Sequence, residues 1–193
     1  MNIMIGIVGF LLTVLVGVPL FALPATISLG WRTRPGLPHR TIAQEADQLR
    51  ESGETGWTLV EAVRALVEGR MAYCRRNSFD AAPRAFARGY GYCQQQAHAL
   101  AGILNRLGFT AKVVGAFRNK FPDGVTGGHA WVQVTYAGET RDIDSLFYDQ
   151  GAGEITFTPL SRVFDYTPVF RFFAGWGSSA VNAYRYYRTG KDR

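Results

Sequence analysis

"GYGYCQQQAHALAGILNRLGF", residues 89–109, carries Cys93, one of two cysteines in the chain, where a Gly/Tyr-rich approach turns into a helix. Ala97, Leu100, Ala101, Leu104 and Leu107 recur at three- and four-residue spacing, which is one helical face, and Gly108 supplies the stop. Cys93 stands four residues before Ala97, on the same stripe and in the first turn. Free backbone N–H groups and the helix dipole favour negative charge there, and a thiol reacts as its thiolate. Cys74, in contrast, falls on the apolar face of an upstream helical pattern and reads as a small buried hydrophobe.

A cysteine nucleophile needs a base within reach, and the base needs a third group to hold its ring. Of three histidines, His39 lies in a Pro/Gly-rich stretch, and His98, five residues past Cys93, is turned about 140° from the thiol. His129 remains, opening "HAWVQVTY" after "TGG", where small residues leave room for a ring and a substrate backbone. That run and "ETRDIDS" form a hairpin about Ala137-Gly138. If 136 pairs with 139, then 133 pairs with 142 and 129 with 146. Asp144 becomes the diagonal neighbour of His129, about 7 to 8 Å away along the backbone. Asp144 is the expected orienting carboxylate and Asp142, one step further, the alternative.

Outward from this centre, "TIAQEADQLRES" opens with Thr41 and Gln44 in capping-box spacing, and "TLVEAVRALVEGRMAYC" with Thr58 and Glu61. Residues 77–92 show no sustained period and read as a loop. "TAKVVGAF", 110–117, is a strand, and "RNKFPDGVTGG" a turn-rich connection. Helices come first and strands after, the order of an α+β domain whose N-terminal helices pack on an antiparallel sheet.

The pattern "GYC…A.AL..ILNRLGF.AKVVGAF…HAWVQV…DIDS" resembles the transglutaminase-like superfamily over Gly89–Leu146, with the helix from Thr58 plausibly included. Members share a papain-like Cys-His-Asp arrangement, with cysteine at a helix start, histidine opening a strand and aspartate ending the next. The resemblance implies acyl transfer through a thioester, as in bacterial transglutaminase-like cysteine peptidases. Cys93 would attack an amide or ester of a peptide or small amide, His129 shuttle the proton and Asp144 hold the imidazole. Water or an amine is the acceptor, a choice the residues leave open. Two departures stand out: Ala87 occupies the place of the papain-like oxyanion glutamine, leaving Gln94 or Tyr90 as candidate donor, and "TRDID" lacks the tryptophan common before the aspartate.

The first 31 residues hold no charged side chain, and Ile3–Leu23 is an apolar run whose 21 residues reach about 31 Å as a helix, matching the ~30 Å hydrocarbon layer. No Lys or Arg precedes it and "FALPA" is a poor cleavage site, so it reads as an uncleaved single-pass anchor in membrane lipid. Arg32, Arg34 and Arg40 behind it place the domain in the cytoplasm, with the periplasmic or extracellular side as alternative. The expected organisation is an anchor at 1–30, a linker at 31–40, a transglutaminase-like domain at 41–160 and an aromatic/basic extension at 161–193.

Two cysteines without C-x-x-C and no His/Cys cluster give no expected disulfide framework or zinc site, and no phosphate- or dinucleotide-binding motif occurs, so no cofactor is expected. A net charge of +6 spread along the chain without a binding module argues against nucleic acid. Asp165 and Arg171 bar a second membrane span in the tail. The competing expectation is a non-catalytic subunit of a larger membrane complex reusing this fold, with Gly6, Gly9 and Gly17 allowing close approach of other membrane-protein subunits.

Overall fold

An antiparallel sheet and one central helix position the site. The computed structural model describes residues 2–17, 20, 33–75, 80–150 and 153–190. α1 (Asn2–Leu12) continues into a single π-helical stretch, Thr13–Gly17. Ile7, Val8, Phe10, Leu11, Leu12 and Val16 on it are exposed. Positions 18, 19 and 21–23 of the expected span, and Arg32 behind it, lie outside the described residues, among which no helix is long and apolar enough to cross a membrane.

α2 (Ile42–Glu51) begins with the expected capping box: the Gln44 amide donates to Thr41 Oγ1 at 3.2 Å and Gln44 Oε1 accepts from the Thr41 amide at 2.8 Å. α3 (Gly56–Arg70) starts two residues earlier than Thr58 and without a side-chain cap. Glu61 pairs instead with Arg64 at 2.9 Å, so the Thr58/Glu61 box does not form. The helix also ends at Arg70, and the chain turns into β1 (Ala72–Tyr73). The expected loop at 77–92 contains α4 (Ala82–Arg88), entered through Pro83, and β2 (Tyr90–Gly91). Gly89, at φ 79°, ends α4 in the left-handed region that favours glycine and redirects the chain into β2. β2 pairs in parallel with β1, Tyr73 opposite Gly91, which brings Tyr73 alongside the start of the next helix.

That helix is α5 (Cys93–Arg106), packed against α2, α3 and α4 on one side and on β3 (Thr110–Lys120) and β4 (Thr126–Tyr136) on the other. Ala97, Leu100, Ala101 and Leu104 are buried against Val113, Val132, Val134 and Ile143 of the sheet, as the helical stripe required. The sheet runs β5-β4-β3-β8, with β9 also on β3 and all pairs antiparallel. β5 spans Glu139–Ile143, β8 Thr158–Pro159 and β9 Phe164–Asp165. Between them β6 (Tyr148–Asp149) and β7 (Glu154–Ile155) form a small hairpin. Ala137 and Gly138 both have positive φ, 51° and 82°, the tight turn that closes β4 on β5. The resulting register, Tyr136 opposite Glu139 and Gln133 opposite Asp142, is the one expected from the turn.

The chain closes with α6 (Pro168–Thr189), capped by Thr167 Oγ1, which accepts from the Phe170 amide at 3.2 Å. Residues 33–40, ahead of α2, are tied down too. Arg34 donates to the carbonyls of Gly69 and Arg70, and buried Arg70 donates to those of Pro38, Arg40 and Phe86 and to Glu45, so 33–40 lies against α3 and α4.

Candidate active site

Cys93 is the first residue of α5, with 7% of its surface exposed. The Tyr92 amide ahead of it donates to Gln95 Oε1 at 3.0 Å, fixing the helix entry. His129 lies in β4 opposite Ala116. Two residues earlier the ladder is interrupted: Ala116 faces His129 but Asn119 faces Gly127, so Phe117 and Arg118 form a bulge. Asn119 fills it, donating to the carbonyls of Ala116 and Gly127 at 3.1 Å. The bulge bends the strand beside His129, where Gly127 and Gly128 leave the space foreseen in "TGG".

Asp144 directly follows β5, and its Oδ2 lies 2.7 Å from His129 Nε2 while also accepting from the Phe147 amide at 3.1 Å. The His129 ring is hydrogen-bonded to Cys93 as well, which leaves Nδ1 as the nitrogen facing sulfur. Asp142 is occupied elsewhere, its Oδ1 accepting from Trp131 Nε1 at 2.9 Å. Of the two carboxylates considered, Asp144 is therefore the one against the ring. Burial disfavours the imidazolium, but the Asp144 charge, its hydrogen bond and Cys93 together outweigh it and push the His129 pKa up to about 10. Four aromatic rings enclose the imidazole: Phe121, Phe147 and Phe157 edge-on and Trp131 stacked at 6.4 Å. They exclude water and so strengthen the polar contacts within.

His98 lies away from the thiol, edge-on to Tyr166, with burial and Arg171 holding its pKa down at about 4. Neither oxyanion candidate lines the thiol's cleft. Gln94 directs Oε1 at the Tyr166 hydroxyl, 3.4 Å away, and Tyr90 belongs to β2. The hydroxyl-bearing side chains that share the cleft with Cys93 are Tyr73, Tyr92 and Tyr166. Burial, then the neighbouring Cys93, pushes Tyr92 up to about 12, so it stays a neutral O–H donor.

One turn along the helix from Cys93 sits a residue missed in the sequence. Gln96, fully buried on α5, donates to the carbonyls of Met71 and Gly91 and accepts from Ser145 Oγ at 2.9 Å. It thus joins the cysteine helix to the residue after Asp144. The run "QQQ" on an otherwise apolar helix was the only signal. Gln96→Leu removes three hydrogen bonds, leaving the Met71 carbonyl and the Ser145 hydroxyl without their Gln96 partner while Gly91 keeps the Cys74 amide, and is expected to lower stability by about 2 kcal/mol. Urea denaturation measures it, and Gln96→Glu, which sets a buried carboxylate against the Met71 and Gly91 carbonyls, is expected to be at least as destabilising.

The transglutaminase-like superfamily model matches residues 41–142, more than half of the chain. The chain belongs to the transglutaminase-like superfamily. Asp144 lies just beyond the matched stretch of this transglutaminase-like chain, and α6 wholly beyond it. Among solved structures it is similar to a candidate cysteine protease from Cytophaga hutchinsonii, at 13% identity and a TM-score of 0.48, covering 73% of this chain and 53% of that one. It is also similar to the periplasmic domain of TgpA from Pseudomonas aeruginosa, at 20% identity and a TM-score of 0.42, covering 66% of this chain and 47% of the other. The chain thus spans about half the length of these structures. No curated protein matches it in sequence.

Proposed function

We propose that this protein is a membrane-anchored, thiol-dependent acyl-transfer enzyme. The Cys93 thiolate attacks the carbonyl carbon of an amide or ester, His129 delivers its Nδ1 proton to the leaving amine or alcohol, and a thioester remains. His129 then takes a proton from the acceptor, water or an amine, which attacks the thioester and releases Cys93. Asp144 keeps the ring oriented and charged through Nε2. The Cys93 amide and a tyrosine hydroxyl of the cleft, Tyr92 or Tyr73, serve as donors to the developing oxyanion. The observation that carries this reading is the buried Asp144–His129 contact at 2.7 Å whose ring also engages Cys93. The cleft of about 690 Å³ over the thiol supports catalysis over the competing structural role.

Residues 3–23 supply the anchor in this reading, supported by the exposed apolar side chains of α1. Arg34 and Arg40 favour a cytoplasmic domain. Alkylation of the intact protein by iodoacetamide from pH 5 to 9 tests the chemistry, with the modified site read by mass spectrometry. Cys93 is expected to label at a nearly constant rate from pH 6 to 9, whereas a free thiol loses about tenfold per unit below its value of about 8.5. Cys74, 2% exposed, should remain unmodified while the protein is folded and serves as internal control. A Cys93 rate that tracks a free thiol's would sink the proposal.

A further inference from the structure

The wall of the cleft opposite the sheet is built by α6, and one end of it is cationic. Asn182 Nδ2 donates to the Arg75 carbonyl at 3.1 Å, clamping α6 to the residues just after β1. Arg185, less than one turn further along α6, and Arg75 both line the cleft that holds Cys93. Between them stand Tyr73 and Tyr92, with ring centroids 5.6 Å apart. Arg75 is hydrogen-bonded to the Tyr73 hydroxyl, and both guanidiniums act on Tyr92.

Neither cation has a counter-charge among the described residues. Among the described residues no ion pair involves Arg75 or Arg185, and Asp80, the carboxylate nearest Arg75 in sequence, is held by Arg84 and Arg88. Asp123, the one carboxylate lining the cleft among the described residues, belongs to the β3–β4 turn, where Oδ1 accepts from the Val125 amide at 3.0 Å. Arg75 is half-buried, so its charge is poorly screened by water. Two guanidiniums without a carboxylate partner among the described residues, flanked by tyrosine hydroxyls on a wall shared with a nucleophile, match a planar anion that accepts several hydrogen bonds.

We propose that Arg75, Arg185 and the Tyr73 hydroxyl form a carboxylate subsite, so that the acyl donor taken by Cys93 carries a carboxylate close to the bond attacked. The inference rests on the reading of Cys93 as nucleophile. The carboxylate is either the free C-terminus of a peptide or an acidic side chain next to the scissile amide. The apolar remainder of the donor lies along Phe117 and Phe173, which are 65% and 58% exposed on the rim of the same cleft.

Paired affinity labels separate this from the thiol chemistry. Bromoacetyl-glycine and bromoacetyl-glycinamide differ only in charge, and bromoacetyl-glutamate α-amide and bromoacetyl-glutamine α-amide place the same contrast on a side chain. Cys93 in the full chain is expected to react roughly tenfold faster with the acid of at least one pair, the size of a charge-assisted hydrogen-bond advantage. The pair showing it identifies the source of the carboxylate. The acid-to-amide ratio should fall toward one in Arg75→Gln and in Arg185→Gln, and shrink with added salt. Because both reagents of a pair share the thiol step, the ratio is insensitive to changes in thiol reactivity. Equal rates within both pairs, or a preference that both substitutions leave intact, would overturn the subsite. A neutral reagent reacting no faster than with free cysteine would instead overturn the nucleophile. The subsite remains measurable in that case: Cys93→Ala protein titrated by NMR should bind N-acetylglycine or N-acetylglutamate α-amide more tightly than the matching amide, and equal binding in both pairs would reject it.

Discussion

His129→Ala slows alkylation of Cys93 at pH 6 by about a hundredfold, while at pH 9 the two proteins differ by no more than about threefold. At pH 6 a thiol of ordinary acidity, about 8.5, is ionised in only roughly one molecule in 300, and the lower nucleophilicity of a charge-stabilised thiolate offsets part of that factor. The charge on the ring depends in turn on Asp144. In Asp144→Asn the amide oxygen still accepts from Nε2–H, but the negative charge that chiefly opposes the burial penalty is gone. The ring then discharges at lower pH, and the rate profile gains an inflection below about 10. Stability follows the same sign. His129 is raised on folding, so its contribution is fully present below about pH 6.5 and is lost as the pH climbs through about 10. Thermal melts at pH 6, 8 and 10 should therefore fall more steeply in wild type than in Asp144→Asn. Parallel melts would mean that the pair is not charged in the folded protein.

Arg70→Met lowers stability by about 3 to 5 kcal/mol, the cost of removing one partner of a buried charged pair. Arg70 touches Glu45 at 3.1 Å, three backbone carbonyls, and the Phe86 ring with its guanidinium 4.6 Å from the centroid. Its loss leaves Glu45, only 5% exposed, with a single more distant partner, Arg40 at 3.7 Å. Glu45→Gln added to Arg70→Met should recover a large part of the loss, since the stranded charge is removed. Urea midpoints measure both. The two carbonyls of Pro38 and Arg40 also lose their donor, so trypsin should cleave after Arg40 faster in Arg70→Met, and a cleavage rate equal to wild type would show that 33–40 is held by other contacts.

The centre of the fold was legible because its signals are local. The stripe from Cys93 to Leu104 repeats over about three turns, and counting from the turn at Ala137-Gly138 favours Asp144 over Asp142 beside His129. What escaped reading was short or distant. α4 has seven residues, fewer than two full helical repeats, so its periodicity could not rise above the loop around it. The start of α3 was misplaced because Glu61, three residues after Thr58, serves Arg64 rather than the backbone. Gln96 is a polar residue on a buried face, justified only by acceptors from three other segments. The meeting of Arg75 with Arg185, 110 positions apart in the chain, rests on how α6 docks, and no spacing rule reaches that far.

That docking has a further consequence. Cys93, His129 and Asp144 all lie ahead of residue 145, whereas the opposing wall of their cleft is furnished by a helix beginning at Pro168. One wall of the cleft is thus written in a stretch apart from the reacting groups, although Tyr73, Arg75 and Phe117 of the same cleft come from ahead of it. Variation in the last 26 residues can change what is admitted while the reacting groups stay as they are, and exchanging that segment between relatives offers a direct way to retarget the site.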